Sequence, residues 1–112
     1  MTQLSLLHDD TKSKTIVHVP VGRLKVSPFN PRQTRSDASI QKLADRIERN
    51  GFEVTRALWA YANNGHYEVF AGGNRLAAVQ RTSIDTVPIV LHDGYTEDEI
   101  TRLADEDNEN DE

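Results

Sequence analysis

The chain has 112 residues, no cysteine and a formal net charge of −5, so it holds one small domain with one core, without disulfides, thiolate zinc sites or thiol catalysis. The negative charge argues against nucleic acid, but it is unevenly placed. Residues 93–112 carry ten acidic residues against one arginine, leaving residues 1–92 with twelve basic against eight acidic, a mildly basic body with an acidic end. The acidic end reads either as a solvated helix or tail, or as carboxylates that hold a metal or shield the basic face.

Residues 1–15 are polar, mixed in charge and without apolar periodicity, which predicts a flexible leader. They also lack the basic-then-apolar layout of a secretory signal, and no apolar run approaches the roughly 20 residues that span a bilayer, so a cytoplasmic chain without a membrane partner is expected. Ile16, Val17, His18 and Val19 suit a short strand, which Pro20 should end. Pro28 and Pro31 punctuate a loop that ends on Arg32, each fixing its own φ and pushing the preceding residue out of the helical region.

Ser36 or Asp37 can cap a helix whose apolar residues Ile40, Leu43, Ala44 and Ile47 share one face, with Gly51 just past its end. Residues 54–62 are rich in strand formers, Asn63, Asn64 and Gly65 supply a turn, and Tyr67, Val69 and Ala71 alternate on the return. This is the pattern of a β-hairpin. Tyr61 and Tyr67 flank its turn and are expected to pair across it, while Trp59 is assigned to packing. Gly72 and Gly73 then lead into a helix over 74–81, followed by a strand over 87–91 that contains Pro88. Thr96 and Glu99 form a capping box that opens a last helix carrying Ile100, Leu103 and Ala104. The four histidines show no paired ligand spacing and predict no zinc site.

The segment from Val69 to Arg81 carries the most chemistry. Paired glycines allow a tight turn and close approach to a ligand, and a helix opening presents N–H groups that favour an anion. Asn74 can cap that helix or donate to an oxygen, and Arg75 can reach phosphate with a forked contact. Arg46, Arg49 and Arg56 gather near the end of the central helix, where they either answer its dipole or extend a basic face for DNA.

Taken in order, Asn30-Pro31-Arg32, the capped helix ending at Gly51, the 67–71 strand, Gly72-Gly73-Asn74-Arg75-Leu76-Ala77-Ala78, Thr86-Val87-Pro88-Ile89-Val90 and the acidic last helix with Asp107-Asn108 resemble the ParB N-terminal domain family, of plasmid or mobile-element type. The resemblance covers residues 16–112. It implies an α+β fold of the ParB/sulfiredoxin kind, a small mixed sheet with flanking helices, in a fragment of a longer protein.

It also implies a nucleoside triphosphate with Mg2+ as cofactor. Arg32, Gly72, Gly73, Asn74 and Arg75 would bind the nucleotide and its phosphates, and Asp107 and Asn108 would face the metal. DNA would be a partner through the full-length protein, which is expected to form a homodimer. The chain departs from the family pattern at Gly73 and Asn74, where the family's turn has Glu and Arg, and at Ala77, where a further Arg is common.

Three functions compete on this reading. The first is a nucleotide-binding module that contributes to DNA binding or partitioning. The second is a metal-dependent nuclease or nucleoside triphosphatase, for which only Glu53, Glu68 and Asp85 lie near the hairpin and turn, although two-metal chemistry needs converging carboxylates. The third is an interaction domain that keeps the fold without the ligand site. Sulfiredoxin chemistry is excluded, because it needs a cysteine in the turn.

Overall fold

A computed structural model describes residues 12–30 and 35–109, with only the backbone of 108 and 109. Arg32, the side chain of Asn108 and the leader residues 1–11 lie outside the described residues. In chain order the elements are β1 (Ser13–Pro20), β2 (Leu24–Val26), α1 (Asp37–Asn50), β3 (Leu58–Asn63), β4 (His66–Ala71), α2 (Gly73–Val79), β5 (Thr86–Asp93) and α3 (Glu97–Glu109). The strands form one mixed sheet in the order β1-β5-β3-β4-β2. The fold is α+β.

Alternation along the strands sends side chains to two separate cores. Leu58, Ala60, Val69, Val87 and Ile89 face α1 and α2, which contribute Ile40, Ala44, Ile47, Leu76 and Val79. Phe70 and Ala71 instead cluster with Ile100 and Ala104 of α3, together with Trp59 and Tyr61. Phe70 and Ala71 are adjacent, so strict alternation would separate them. The register slips between Trp59, opposite Ala71, and Ala60, opposite Val69, leaving Phe70 as the extra residue of a β-bulge, a device that re-aims side chains where it occurs.

The predicted ends of α1 and the predicted start of α3 hold. Ser36 is the N-cap of α1, its hydroxyl accepting from Ser39 N at 3.2 Å, and Gly51 closes the helix at φ 85°. The Thr96–Glu99 box is reciprocal: Thr96 N donates to Glu99 Oε1 at 2.9 Å and Glu99 N to Thr96 Oγ1 at 3.2 Å. The hairpin turn has Asn64 at φ 51° and Gly65 at φ 87°, both positive as a tight two-residue hairpin turn requires. Trp59 packs against Phe70 and His92, the packing role expected of it.

The strands depart from expectation in four places. β1 begins at Ser13 and includes Pro20, because β5 offers a partner along its whole length, Ser13 opposite Asp93 and Pro20 opposite Thr86; as an edge strand it tolerates the proline. β2 was not foreseen. Its three residues are too few to show a period, and it exists through parallel pairing of Leu24 with Tyr67 and Val26 with Val69. Residues 54–56 form a 3-10 turn rather than strand, so β3 starts only at Leu58. Tyr61 does not pair with Tyr67: Tyr61 is opposite Glu68 and Tyr67 opposite Ala62, which puts the two rings on different cores.

The chain leaving α2 is tied back to α1. Arg81 donates to Asp37 at 2.6 Å and to Gln41 at 3.0 Å, and Glu48 accepts from the Ser83 amide at 2.8 Å and hydroxyl at 2.6 Å. Among the described residues no helix is long and apolar enough to cross a membrane.

Candidate functional site

β4 delivers the chain to Gly72, which sits at φ 94°, ψ 26° and serves as N-cap of α2. Two constraints require glycine here: the left-handed backbone, and the space, since a Cβ would lie 2.8 Å from Leu58 Cδ2. Leu76 N donates to Gly72 O at 2.9 Å, closing the first helical turn. α2 has seven residues and ends at Val79, short of the predicted 81. Asn74 does not cap it. Its Oδ1 instead accepts from Arg35 N at 3.4 Å, reaching across to the segment before α1.

Beside this turn is a cavity of about 250 Å³. Leu43, Ile47 and Phe52 provide apolar wall, and Gly72, Asn74 and Arg75, three of the residues singled out in the sequence, also line it. Arg35, Arg46 and Arg56 join them, so four guanidinium-bearing residues from four segments surround one space, against the single carboxylate of Glu53 among the described lining residues. Arg75 is held in place by its Nε, which donates to Arg56 O at 3.0 Å. Gly73 is buried at the opening of α2 and is not part of the described lining.

The sequence pointed to Arg46 and Arg56 only as a loose basic group, and it did not single out Arg35. Their spacing along the chain is irregular, and they meet because α1 runs beside α2 and the 3-10 turn follows Gly51. Like charges gathered at one space attract an anion.

Asp107 lies on α3, packed on the other face of the sheet, and is not among the described lining residues. The helix does reach toward the turn, because Ala104, one turn earlier, clusters with Ala71 at the end of β4. Glu68, one of the carboxylates considered for metal chemistry, is committed elsewhere. It accepts from Tyr61 at 2.6 Å and Asn63 at 2.8 Å and meets His66 at 3.1 Å. The Tyr61 hydrogen bond is the main cause holding its carboxyl below the usual range, and burial is the main cause pushing the Tyr61 hydroxyl up to about 12. Among the described residues no three His, Asp or Glu side chains converge on a metal position.

This frame, a five-stranded mixed sheet with helices on both faces, is that of a known domain class. The chain belongs to the ParB N-terminal domain family, whose model matches residues 6–108. It is 30% identical over 95 residues to a nucleoid occlusion protein of Bacillus subtilis, covering 85% of this chain and 33% of that protein. The chain thus spans about a third of the length of this relative.

Among solved structures it is similar to the chromosome-partitioning protein ParB of Caulobacter crescentus complexed with CTP-gamma-S, with TM-score 0.75 and 22% identity over 88% of this chain and 54% of that one. The same Caulobacter protein complexed to the centromeric parS site gives TM-score 0.65 at 21% identity, over 82% and 46%. Sulfiredoxin of Arabidopsis thaliana gives TM-score 0.58 at 22% identity, over 80% and 96%. These likenesses establish the ParB/sulfiredoxin fold. The bacterial relatives are named for the nucleoid and the chromosome, not for the plasmid or mobile-element type read from the sequence.

Proposed function

We propose that the chain is the nucleotide-binding module of a larger DNA-partitioning or nucleoid-associated protein, and that the arginine cavity holds the polyphosphate of a nucleoside triphosphate. The observation that carries this reading is the meeting of Arg35, Arg46, Arg56 and Arg75 around one cavity beside Gly72. Each charge-assisted contact to phosphate contributes roughly 1.5–3 kcal/mol. The nucleotide bound to the Caulobacter relative supports the same reading and makes a cytidine nucleotide the first to try.

Arg32 is proposed to approach the nucleotide from the segment before Arg35, and Gly73 to supply backbone at the phosphates. Glu53 alone of the described lining offers a carboxylate, so magnesium fits as a companion of the triphosphate, held largely by phosphate oxygens and water. Asp107 and Asn108 are proposed to face it from α3. DNA binding and dimer formation are assigned to the full-length protein, with the nucleotide acting as its switch. A nuclease or triphosphatase reading gains no support from the described carboxylates.

Isothermal titration with CTP, ATP, GTP and UTP, with magnesium, tests the site. At least one should bind, and Arg46→Gln, which changes an exposed side chain of α1, should weaken it about tenfold, equivalent to about 1.4 kcal/mol. Absence of binding by all four at millimolar concentration refutes the proposal.

A further inference from the structure

The face of the sheet opposite the arginine cavity carries a second, larger cavity of about 430 Å³, and its chemistry is of the other sign. It opens between the loop at Phe29, the end of β5 and the start of α3. Phe29, Tyr61, His92 and Tyr95 line it, and with the fully buried Phe70 behind them they form a connected series of rings: Phe29 and Tyr61 at 6.4 Å between centroids, Tyr61 stacked with Phe70 at 6.1 Å, Phe70 and His92 at 4.9 Å, and His92 and Tyr95 at 5.1 Å. Its carboxylates are Glu68, Asp93 and Glu97. Glu68 is saturated by Tyr61, Asn63 and His66. Asp93 and Glu97 are exposed and have no ion-pair partner among the described residues.

Three observations narrow the ligand. The lining is net negative, which repels phosphate and so excludes the nucleotide and DNA. No three acidic or histidine side chains converge among the described residues, which disfavours a bare metal cation. The edge of this surface already holds an organic cation: Lys12 Nζ lies 5.5 Å over the Tyr95 ring and pairs with Glu99. Rings below and free carboxylates at the rim complement a planar cation with an apolar stem, which stacks on aromatic faces while its fork reaches carboxylate oxygens. The negative field is felt in the wall itself, since after burial and the Glu68 hydrogen bond the charges of Glu68 and Glu97 also hold the proton on Tyr61.

We infer that this cavity receives an arginine side chain presented by a partner polypeptide, its stem lying along the Tyr61 and Tyr95 rings and its guanidinium paired with Asp93 and Glu97. The domain then has two separate ports on opposite sheet faces, one for an anion and one for a cationic segment. Neither Asp93 nor Glu97 lines the nucleotide cavity, so the two can be tested apart.

The test is an amide chemical-shift titration of the whole chain with acetyl-Gly-Arg-Gly-amide at low salt, repeated with the citrulline peptide, in which a neutral urea replaces the guanidinium, and with spermidine. The expected result is saturable shifts centred on Asn63, Gly94 and Tyr95 with the arginine peptide, and at least about tenfold weaker binding by citrulline and by the Asp93→Asn/Glu97→Gln double variant. Both replacements are isosteric and exposed, so the dispersion of the spectrum reports that the fold is kept, and unchanged nucleotide affinity separates this port from the other. No saturable shift at millimolar peptide overturns the inference. Equal shifts with citrulline, or an equal response to spermidine, overturn it as well, the latter by showing a general cation patch. Self-association of the chain that the double variant abolishes would assign the cavity to a second copy and overturn the assignment to a partner.

Discussion

Replacing Gly72 by alanine tests the geometry on which the phosphate site rests. The backbone there is left-handed, at φ 94°, which costs an L-residue roughly 1–2 kcal/mol. The new Cβ would lie 2.8 Å from Leu58 Cδ2, and Leu58 is fully buried on the central strand, so it cannot swing into solvent; such overpacking costs about 1–3 kcal/mol. Alanine also restricts the unfolded chain, which returns about 0.4–1 kcal/mol. The net loss is about 1–5 kcal/mol, a large share of the roughly 5–15 kcal/mol that holds a domain together.

Urea denaturation of wild type and variant measures it directly, and thermal melting should fall by about 4–8 °C for each kcal/mol lost. The clash makes a further demand. In a double-mutant cycle with Leu58→Ala, the double variant should lose less than the sum of the singles, because the truncated side chain no longer meets the new Cβ. A loss below about 0.5 kcal/mol for Gly72→Ala, or strict additivity in the cycle, refutes the reasoning.

Other consequences follow from single groups. Burial lowers the pKa of His92, so the folded state prefers it neutral: stability is fully present above the unfolded value near 6.5 and falls as pH drops below it, by at most about 1.4 kcal/mol per pH unit. Urea midpoints taken from pH 7.5 to 5 should show this slope, and His92→Phe should flatten it. Tyr61→Phe removes the leading cause of the lowered Glu68 pKa, so a carboxyl NMR titration should find Glu68 shifted upward; an unchanged value contradicts the hydrogen-bond assignment. Thr96→Ala breaks one half of the box that opens α3 and should cost about 1 kcal/mol in denaturant unfolding, with the loss of protection in hydrogen exchange concentrated in the first turn of that helix.

The parts legible in the sequence were those specified by short-range chemistry. Ser36, Gly51, Thr96 with Glu99, and Asn64-Gly65 each satisfy a local backbone need with a side chain or a permitted φ, so both ends of α1, the start of α3 and the hairpin turn could be placed without knowledge of the fold. The ordered motifs likewise brought out the glycine turn and Arg75, which the structure places on a cavity. Strand limits were a different matter, because a strand is stabilised by its neighbour. β1 gained Ser13, Lys14 and Thr15 from β5, β2 exists through β4, and residues 54–56 lost their expected strand because the chain turns before entering the sheet.

What the sequence determined by itself was the family, the helices and the glycine turn, since those depend on residues within a few positions of one another or on their order. What the tertiary structure alone decided was the company each residue keeps. Packing α1 against α2 gathers Arg35, Arg46, Arg56 and Arg75 around one space, and alternation along β3 and β4 sends Trp59, Tyr61 and Phe70 toward α3, with Ala71 joining them past the bulge, so the cavities on the two faces of one small sheet have linings of opposite charge. Side chains from distant segments meet only where the sheet and helices bring their backbones together, and no periodicity along the chain records that meeting.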